Sequence, residues 1–206
     1  MTSLELHGIY HELNFWKGFV KTDRFLNGWV KKVKTPELNN EVADFIKSVP
    51  HEKVLDVGSG VCSLLNGICN PLTIDPLGEL YKLIFNYENH RLASPLPIPA
   101  EELSYKDEFD IVHISNALDH CQSPPDAIER LYNAVKPGGF LIIQGFCDEA
   151  VHEQWQGFHQ WNLDVDDEGA LIMAGMHIVS IYDKVPYKWK KIAINDKEWF
   201  YLIIKK

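Results

Sequence analysis

Two acidic residues and a glycine turn follow successive apolar segments, at the positions where α/β proteins bind small molecules. The first segment runs into Asp56-Val-Gly58-Ser-Gly60, in which two glycines permit a tight turn and close approach of the backbone to a ligand. The second segment ends in Asp75. A carboxylate there suits a ribose, since it accepts hydrogen bonds from both hydroxyls. The spacing indicates a site for an adenosine-containing cofactor.

The same residues discriminate between adenosine cofactors. The dinucleotide fingerprint G-x-G-x-x-G requires glycine where this chain has Ser63, and the Gly-Lys-Ser/Thr of a Walker loop is absent. A carboxylate at Asp56 disfavours a phosphate and suits a cationic amino group. The adenosine that carries an amino acid in place of pyrophosphate is S-adenosylmethionine, which we therefore predict as the cofactor. An oxidoreductase that binds NAD or a nucleotide sugar is the alternative.

Three further residues are candidates for catalysis: Asp119, His120 and His159. His120 and Asp119 follow an apolar segment at residues 109–115, and His159 lies in an aromatic, amide-rich run after another at residues 139–144. Neutral histidine takes up a proton from a hydroxyl near pH 7. We predict that His159 or His120 is a general base, the alternatives being a loop cap for His120 and lid packing for His159.

Other polar residues receive structural interpretations. His113 lies between apolar neighbours and is predicted to be a core histidine. The acidic run at residues 164–168 is predicted to be the solvated start of a helix, and no metal site is predicted. Residues 148–164 are predicted to form an acceptor-side lid, in which Trp155 and Trp161 either stack on a sugar or other ring or pack in the core of the lid.

The elements that must position these residues are short apolar runs separated by helical patterns. The runs are rich in β-branched residues and too short for helices, which is typical of buried parallel strands; they cover residues 53–58, 72–75, 109–115 and 139–144. Helical periodicity covers residues 11–20, 36–49, 77–87 and 124–135. Residues 177–182 and 199–204 are predicted to form an antiparallel pair at one sheet edge. The sequence thus predicts an α/β, Rossmann-like, doubly wound, mostly parallel sheet.

Composition restricts the class of protein further. The 206 residues include 46% hydrophobic and 24% charged residues, which indicates one globular domain rather than a disordered chain. The formal net charge of −9 does not suit a protein that neutralises phosphates, so we expect no nucleic-acid partner. No apolar run is long enough to span a membrane, no signal peptide is apparent, and the four cysteines are irregularly spaced. We therefore expect a cytoplasmic protein with reduced thiols and no membrane partner.

Six segments, in order and spacing, resemble class I S-adenosylmethionine-dependent methyltransferases, and most closely the small-molecule branch with a type 11 methyltransferase domain. They are residues 54–60 (VLDVGSG), 73–75 (TID), 100–103 (AEEL), 109–112 (FDIV), 116–120 (NALDH) and 135–141 (VKPGGFL). The resemblance implies a seven-stranded sheet with a C-terminal antiparallel hairpin. It also implies transfer of a methyl group to a small-molecule acceptor, for which a hydroxyl of a saccharide or metabolite is our expectation.

The resemblance carries cofactor contacts over to matching positions of this chain. Asp56 would lie near the methionine amino group, and Asp75 would hold the ribose. The other implied contacts are Gly58, Ser59 and Gly60 in the turn, Pro76 and Leu77 beside the adenine, Ala100 and Glu101 near its amino group, and Asn116 at the methionine moiety. The family often has aspartate where this chain has Pro99, so Ala100 or Glu101 must serve the adenine instead.

These expectations divide one methyltransferase domain, residues 1–206, into three parts. Residues 1–50 form an N-terminal helical cap, residues 51–146 the cofactor-binding core, and residues 147–206 an acceptor-side lid with the terminal strands. The alternative function within this framework is a protein that binds S-adenosylmethionine without transferring its methyl group.

Overall fold

The computed structural model describes residues 3–22 and 40–206, with side chains for residues 6–22 and 41–206. A six-stranded main sheet has the order β2-β1-β3-β4-β9-β8, and a three-stranded sheet has the order β5-β6-β7. The strands are β1 (Val54–Val57), β2 (Leu72–Ile74), β3 (Phe109–Ser115), β4 (Val135–Phe146), β5 (Asn162–Val165), β6 (Leu171–Ala174), β7 (Val179–Tyr182), β8 (Lys188–Ile194) and β9 (Lys197–Lys205). Strands β2, β1, β3 and β4 are parallel, while β9 is antiparallel to both β4 and β8. The predicted Rossmann-like fold with a C-terminal hairpin is confirmed.

The terminal hairpin differs from the predicted pair in one of its strands. Residues 199–204 do lie in the edge-forming hairpin, but their partner is β8, whereas residues 177–182 contribute β7 to the second sheet. The hairpin closes through a two-residue turn, in which Asn195 has φ 58°. Asparagine tolerates this left-handed conformation better than most residues, so the Asn-Asp pair was the available sequence signal.

The main sheet has six strands in the described residues rather than the seven implied by the resemblance. A single parallel bridge joins Ile74, the last residue of β2, to Leu96 on the outer side of that strand. It lies where a further parallel strand would extend the sheet. Pro95, Pro97 and Pro99 surround Leu96 and lack backbone N–H donors, so pairing beyond one bridge is not supported there.

The second sheet corrects the helix predicted to start at residues 164–168. Asp164 lies in β5 instead, and its carboxylate accepts a 2.6 Å ion-pair contact from Lys191. Asp166 Oδ1 accepts hydrogen bonds from the backbone N–H groups of Glu168 and Ala170, and Gly169 has φ 89°. The acidic run therefore begins in β5 and continues into a tight turn between β5 and β6.

The α-helices cover Ser3–Phe19, Asn40–Ser48, Gly78–Tyr81, Tyr87–His90, Pro124–Ala134 and Glu149–His152, with 3₁₀ turns at Ala100–Glu102 and Leu118–His120. The helix predicted at residues 77–87 is instead two short ones, and the predicted start near Pro36 lies outside the described residues. Ser123 makes no side-chain cap at the helix it precedes. Just before this helix, the backbone N–H groups of Gln122 and Ser123 donate hydrogen bonds to Glu101 Oε1.

Apolar side chains cover both faces of the main sheet. One face packs against helix Pro124–Ala134 and the second sheet, and the other against helix Asn40–Ser48. Helix Ser3–Phe19 packs separately over the loop after β1, through Trp16 and its contacts with Val61 and Tyr81. Within residues 3–22 and 40–206, no helix has the length and apolarity needed to cross a bilayer. None of the four cysteines forms a disulfide in the structure.

Candidate functional site

A cavity of about 350 Å³ opens at the carboxyl ends of β1 and β3. Its lining includes Asp56, the Gly58–Gly60 turn and Asp75 at the predicted cofactor site. It also includes His120 and His159. One continuous space therefore joins the predicted cofactor residues to the predicted catalytic residues.

The glycine turn requires glycine at both predicted positions. Gly58 and Gly60 have φ of 63° and 62°, in the left-handed region. A Cβ on Gly58 would lie 2.4 Å from the Ala117 Cβ, and one on Gly60 would lie 2.2 Å from the Trp16 ring. Both the backbone conformation and the close packing thus require glycine at these positions, which line the cavity.

Asp75 joins the glycine turn to the end of β2. Its Oδ2 accepts a 3.0 Å hydrogen bond from Gly60 N, and its Oδ1 accepts one of 2.9 Å from Leu77 N. Burial raises the pKa of Asp75 to about 6, against the effect of these two hydrogen bonds. The carboxylate lines the cavity while the backbone fixes its orientation, which suits it to accept hydrogen bonds from a diol.

Asp56 and Asn116 also lie in the cavity lining. Asp56 is 2% exposed, and its Oδ1 lies 2.6 Å from His113 Nδ1. The prediction that His113 is a core histidine is confirmed, because its side chain is fully buried. Asn116 has φ 48°, and its side-chain oxygen accepts from Phe146 N at 3.3 Å.

Four of the predicted cofactor residues lie outside the lining of this cavity: Pro76, Leu77, Ala100 and Glu101. Leu77 packs with Trp16 in the apolar cluster under the N-terminal helix, and Ala100 is buried in the main core. Glu101 Oε1 accepts hydrogen bonds from the backbone N–H groups of Gln122 and Ser123, and its contact with the adenine stays a prediction. Contacts of Pro76, Leu77 and Ala100 with a cofactor stay predictions.

Asp119, His120 and His159 come together at the rim of the cavity. His159 Nδ1 lies 2.7 Å from Asp119 Oδ2 and 3.1 Å from His120 Nε2, while His120 Nε2 lies 3.6 Å from Asp119 Oδ2. A carboxylate has no hydrogen to donate, so Nδ1 of His159 carries the hydrogen and its Nε2 is left basic. The arrangement is that of a histidine base oriented by an acid.

Electrostatics couple the members of this cluster. Burial alone lowers the pKa of His159, but the hydrogen bond and charge of Asp119, with Glu149 and Glu153, raise it above its usual value. Burial raises the pKa of Asp119, yet the charges of His120 and His159 and the hydrogen bond from His159 leave it lowered. The pair is therefore suited to hold a proton on His159.

The same three side chains have ligand atoms that all lie within 4.8 Å of one another, a spacing that a divalent cation also accommodates. The sequence analysis predicted no metal. The hydrogen bond from His159 Nδ1 to Asp119 Oδ2 accounts for the shortest of these contacts.

The sequence predicted that an N-terminal helical cap, with the segment at residues 16–22, folds back over the cofactor. It did not identify most of the side chains that reach the cavity from distant segments. Helix Ser3–Phe19 contributes His11, Glu12, Phe15 and Trp16, and helix Glu149–His152 with its next turn contributes Glu149 and Glu153. Trp16 donates its ring N–H to Glu12 Oε1 at 2.8 Å. The one available signal was the density of aromatic residues in the first twenty positions.

The fold and the site define a class, the Rossmann-like methyltransferases with a glycine turn after the first strand and an acid after the second. The methyltransferase domain family matches residues 31–181, and the chain belongs to this family. The predicted class is confirmed as the S-adenosylmethionine-dependent methyltransferases of class I, and with it the predicted cofactor. The family favours methyl transfer over the oxidoreductase alternative.

Two curated relatives show the breadth of the likeness. The chain is 28% identical over 142 residues to a tRNA U34 carboxymethyltransferase of Pseudoalteromonas atlantica (65% of this chain, 39% of the relative). It is 31% identical over 121 residues to a demethylmenaquinone methyltransferase of Streptomyces avermitilis (57% of this chain, 51% of the relative). The chain thus spans about half or less of these curated relatives.

A solved structure shares the fold over the whole chain. It is the 1,6-didemethyltoxoflavin-N1-methyltransferase of Burkholderia thailandensis, crystallised with 1,6-didemethyltoxoflavin and S-adenosylhomocysteine. The TM-score is 0.52 at 12% identity, and the match covers 100% of this chain and 92% of the other. At this identity the likeness concerns the fold.

Proposed function

We propose that the protein transfers a methyl group from S-adenosylmethionine to a hydroxyl of a small-molecule acceptor, a saccharide or other metabolite. The observation that carries the proposal is the single cavity that joins the glycine turn and Asp75 to the His120–His159 rim. In this proposal residues 51–146 supply the cofactor site and residues 147–206 supply His159, within one domain of residues 1–206.

In this proposal one set of residues holds the cofactor and another removes the proton from the acceptor hydroxyl. When bound, the cofactor supplies an electrophilic methyl group. Gly58, Ser59, Gly60 and Asp75 hold its adenosine portion, and the cavity aligns the acceptor oxygen with that methyl group. His159 Nε2 accepts the acceptor proton while Asp119 stabilises the resulting imidazolium. His120 packs edge-on against the His159 ring and helps to fix its position.

The acceptor is proposed to be a small molecule rather than a nucleic acid. The formal net charge of −9 supports this, because phosphate contacts are made chiefly by lysine and arginine. One curated relative is named for an activity on tRNA, so the test of function includes RNA beside small molecules. A cytoplasmic location stays a prediction from the sequence.

The direct test uses the purified chain with S-adenosylmethionine carrying a radiolabelled methyl group. We expect calorimetric binding of S-adenosylhomocysteine in the micromolar range, and label transfer to at least one member of a panel of saccharides and hydroxylated metabolites. Total tRNA is the matched nucleic-acid acceptor. Transfer to tRNA alone would overturn the small-molecule assignment, and cofactor binding without turnover on either panel would favour the binding-only alternative.

Asp75 makes cofactor affinity depend on pH. We expect the affinity for S-adenosylhomocysteine to fall as pH drops through about 6, because protonation removes the acceptor that the ribose hydroxyls need. In Asp75→Ala the affinity falls by about 1.5–3 kcal/mol at pH 8, the value for hydrogen bonds to a charged group. Calorimetry between pH 5 and 8 measures both effects, and Glu79→Ala, on an exposed side chain nearby, is the control. An unchanged affinity in Asp75→Ala would remove the ribose assignment.

A further inference from the structure

Four buried polar side chains form one hydrogen-bonded row beside the cavity. The row consists of Ser63, Asp56, His113 and Gln144, each at most 2% exposed, and it crosses β1, β3 and β4. His113 lies 2.6 Å from Asp56 through Nδ1 and 2.9 Å from Gln144 through Nε2. Ser63 Oγ donates to Asp56 Oδ2. Burying a carboxylate is costly unless hydrogen bonds compensate it, so this row carries a cost that a purely apolar core would avoid.

Two side chains of the row, Ser63 and His113, donate hydrogen bonds to the Asp56 carboxylate. Because the Asp56 carboxylate accepts only, Nδ1 of His113 donates to it, and Nε2 of His113 then accepts from the Gln144 amide. Ser63 Oγ accepts from Leu65 N at 2.9 Å, which leaves its own hydrogen for the other oxygen of Asp56. Each carboxylate oxygen is thus held by one donor, and the carboxylate has a fixed orientation.

The row meets the cavity at Asp56 and His113, with Ser115 two residues further along β3. Ser115 Oγ is buried and has no hydrogen-bond partner within the described part of the chain, and the same is true of Gln144 Oε1. A buried polar atom without a partner costs free energy that a ligand recovers. The floor of the cavity therefore presents a fixed carboxylate and a free hydroxyl, which suits a cationic group with several hydrogens to donate.

The resemblance already implies that Asp56 lies near the cationic amino group of the cofactor's amino-acid portion. We propose that His113 is a positioning residue for that carboxylate, and that the Ser115 hydroxyl is a second acceptor for the same amino group. The inference rests on the proposed function, since it requires that cofactor. His113 acts through Asp56: it sets the direction in which the carboxylate meets the amino group.

Two ligands that differ in the amino-acid portion separate this role from a general role in folding. S-adenosylhomocysteine carries the amino group, whereas 5′-methylthioadenosine keeps the adenosine and sulfur without it. We expect His113→Leu to weaken S-adenosylhomocysteine about tenfold or more by calorimetry, the scale of one hydrogen bond to a charged group. The affinity for 5′-methylthioadenosine should stay within about twofold, because its contacts do not involve Asp56.

Matched variants sharpen the test. His113→Asn places an amide N–H near the position of Nδ1 and is expected to restore most of the S-adenosylhomocysteine affinity. Ser115→Ala should weaken S-adenosylhomocysteine alone, by several-fold, and Ser63→Ala replaces His113→Leu in the same comparison if the leucine variant does not fold. Equal losses for both ligands, or unchanged S-adenosylhomocysteine binding, would overturn the inference. If the wild-type chain bound neither ligand, the proposed function would fail first.

Discussion

Replacing His159 by alanine is expected to lower kcat by about a hundredfold to ten-thousandfold, the usual contribution of a general base. The reason is that an alcohol holds its proton tightly at neutral pH, and His159 Nε2 is the basic nitrogen that the 2.7 Å contact with Asp119 leaves free. Calorimetric affinity for S-adenosylhomocysteine should change little, because the glycine turn and Asp75 remain intact.

The pH profile of kcat gives a second measurement of the same role. Histidine acts as a base only when neutral, so kcat rises with pH through its pKa. Since Asp119 and the nearby glutamates raise the pKa of His159 above the usual value near 6.5, the half-maximal rate should lie above pH 6.5. In His159→Ala this acidic limb should disappear from the profile.

Two further histidine variants serve as comparisons. His120→Ala removes the neighbour 3.1 Å from His159 Nδ1 and should cost less than His159→Ala, because Asp119 still orients the ring. His152→Ala changes an exposed residue outside the cavity lining and should leave kcat unchanged. A loss below tenfold in both His159→Ala and His120→Ala would contradict base catalysis, and activity abolished by a chelator would point to a metal at Asp119.

Trp161→Ala is expected to destabilise the fold by about 3–5 kcal/mol, the range for removing a large aromatic side chain from a core. The sequence placed this tryptophan in an acceptor-side lid, either as a ring that stacks on a sugar or as part of the lid core. The structure favours core packing: Trp161 is 9% exposed, belongs to the main core and lies outside the cavity lining. A Cβ at Gly175, the residue after β6, would lie 3.3 Å from the Trp161 ring, so the chain at the end of β6 packs directly against this ring.

Denaturant unfolding of wild type and Trp161→Ala measures this effect. Trp155→Ala is the matched control, because Trp155 lies in the same segment, is only half-buried and is not a member of the core clusters. We expect the control to lose much less stability. If Trp161→Ala kept its stability and instead raised the acceptor KM, the ring would belong to the acceptor site after all.

The parallel half of the main sheet could be predicted because its central strands, β1 and β3, are largely buried. Residues 54–57 and 109–115 are short segments rich in Val, Ile, Leu and Phe, which is typical of buried strands. The second sheet could not be predicted in this way. Its strands have four residues each, and the acidic residues at 164–168 resemble a helix start although Asp166 and Gly169 form a turn.

The site shows the same division between local and distant information. The glycine turn and Asp75 were predictable because strand ends fix where their side chains and backbone point. The contact of Asp119 with His159 joins residues forty positions apart. The sequence nominated both residues by type and region, but only the path of the chain after β4 shows that they touch. The hydrogen bonds of Glu101 with the backbone of Gln122 and Ser123 were equally hidden, because they join residues 21 and 22 positions apart.

Strand β9 determines when the main sheet can be completed during synthesis of the chain. Its residues, Lys197–Lys205, fill the slot between β4 and β8, and six of them are buried. While a ribosome is still translating residues 147–196, β4 therefore has one unpaired edge and an apolar flank open to solvent. The nascent chain can complete its βαβ units early, but the main sheet closes only after residue 205 has left the exit tunnel. A chaperone that shields hydrophobic edges would have its greatest effect on this protein in that interval.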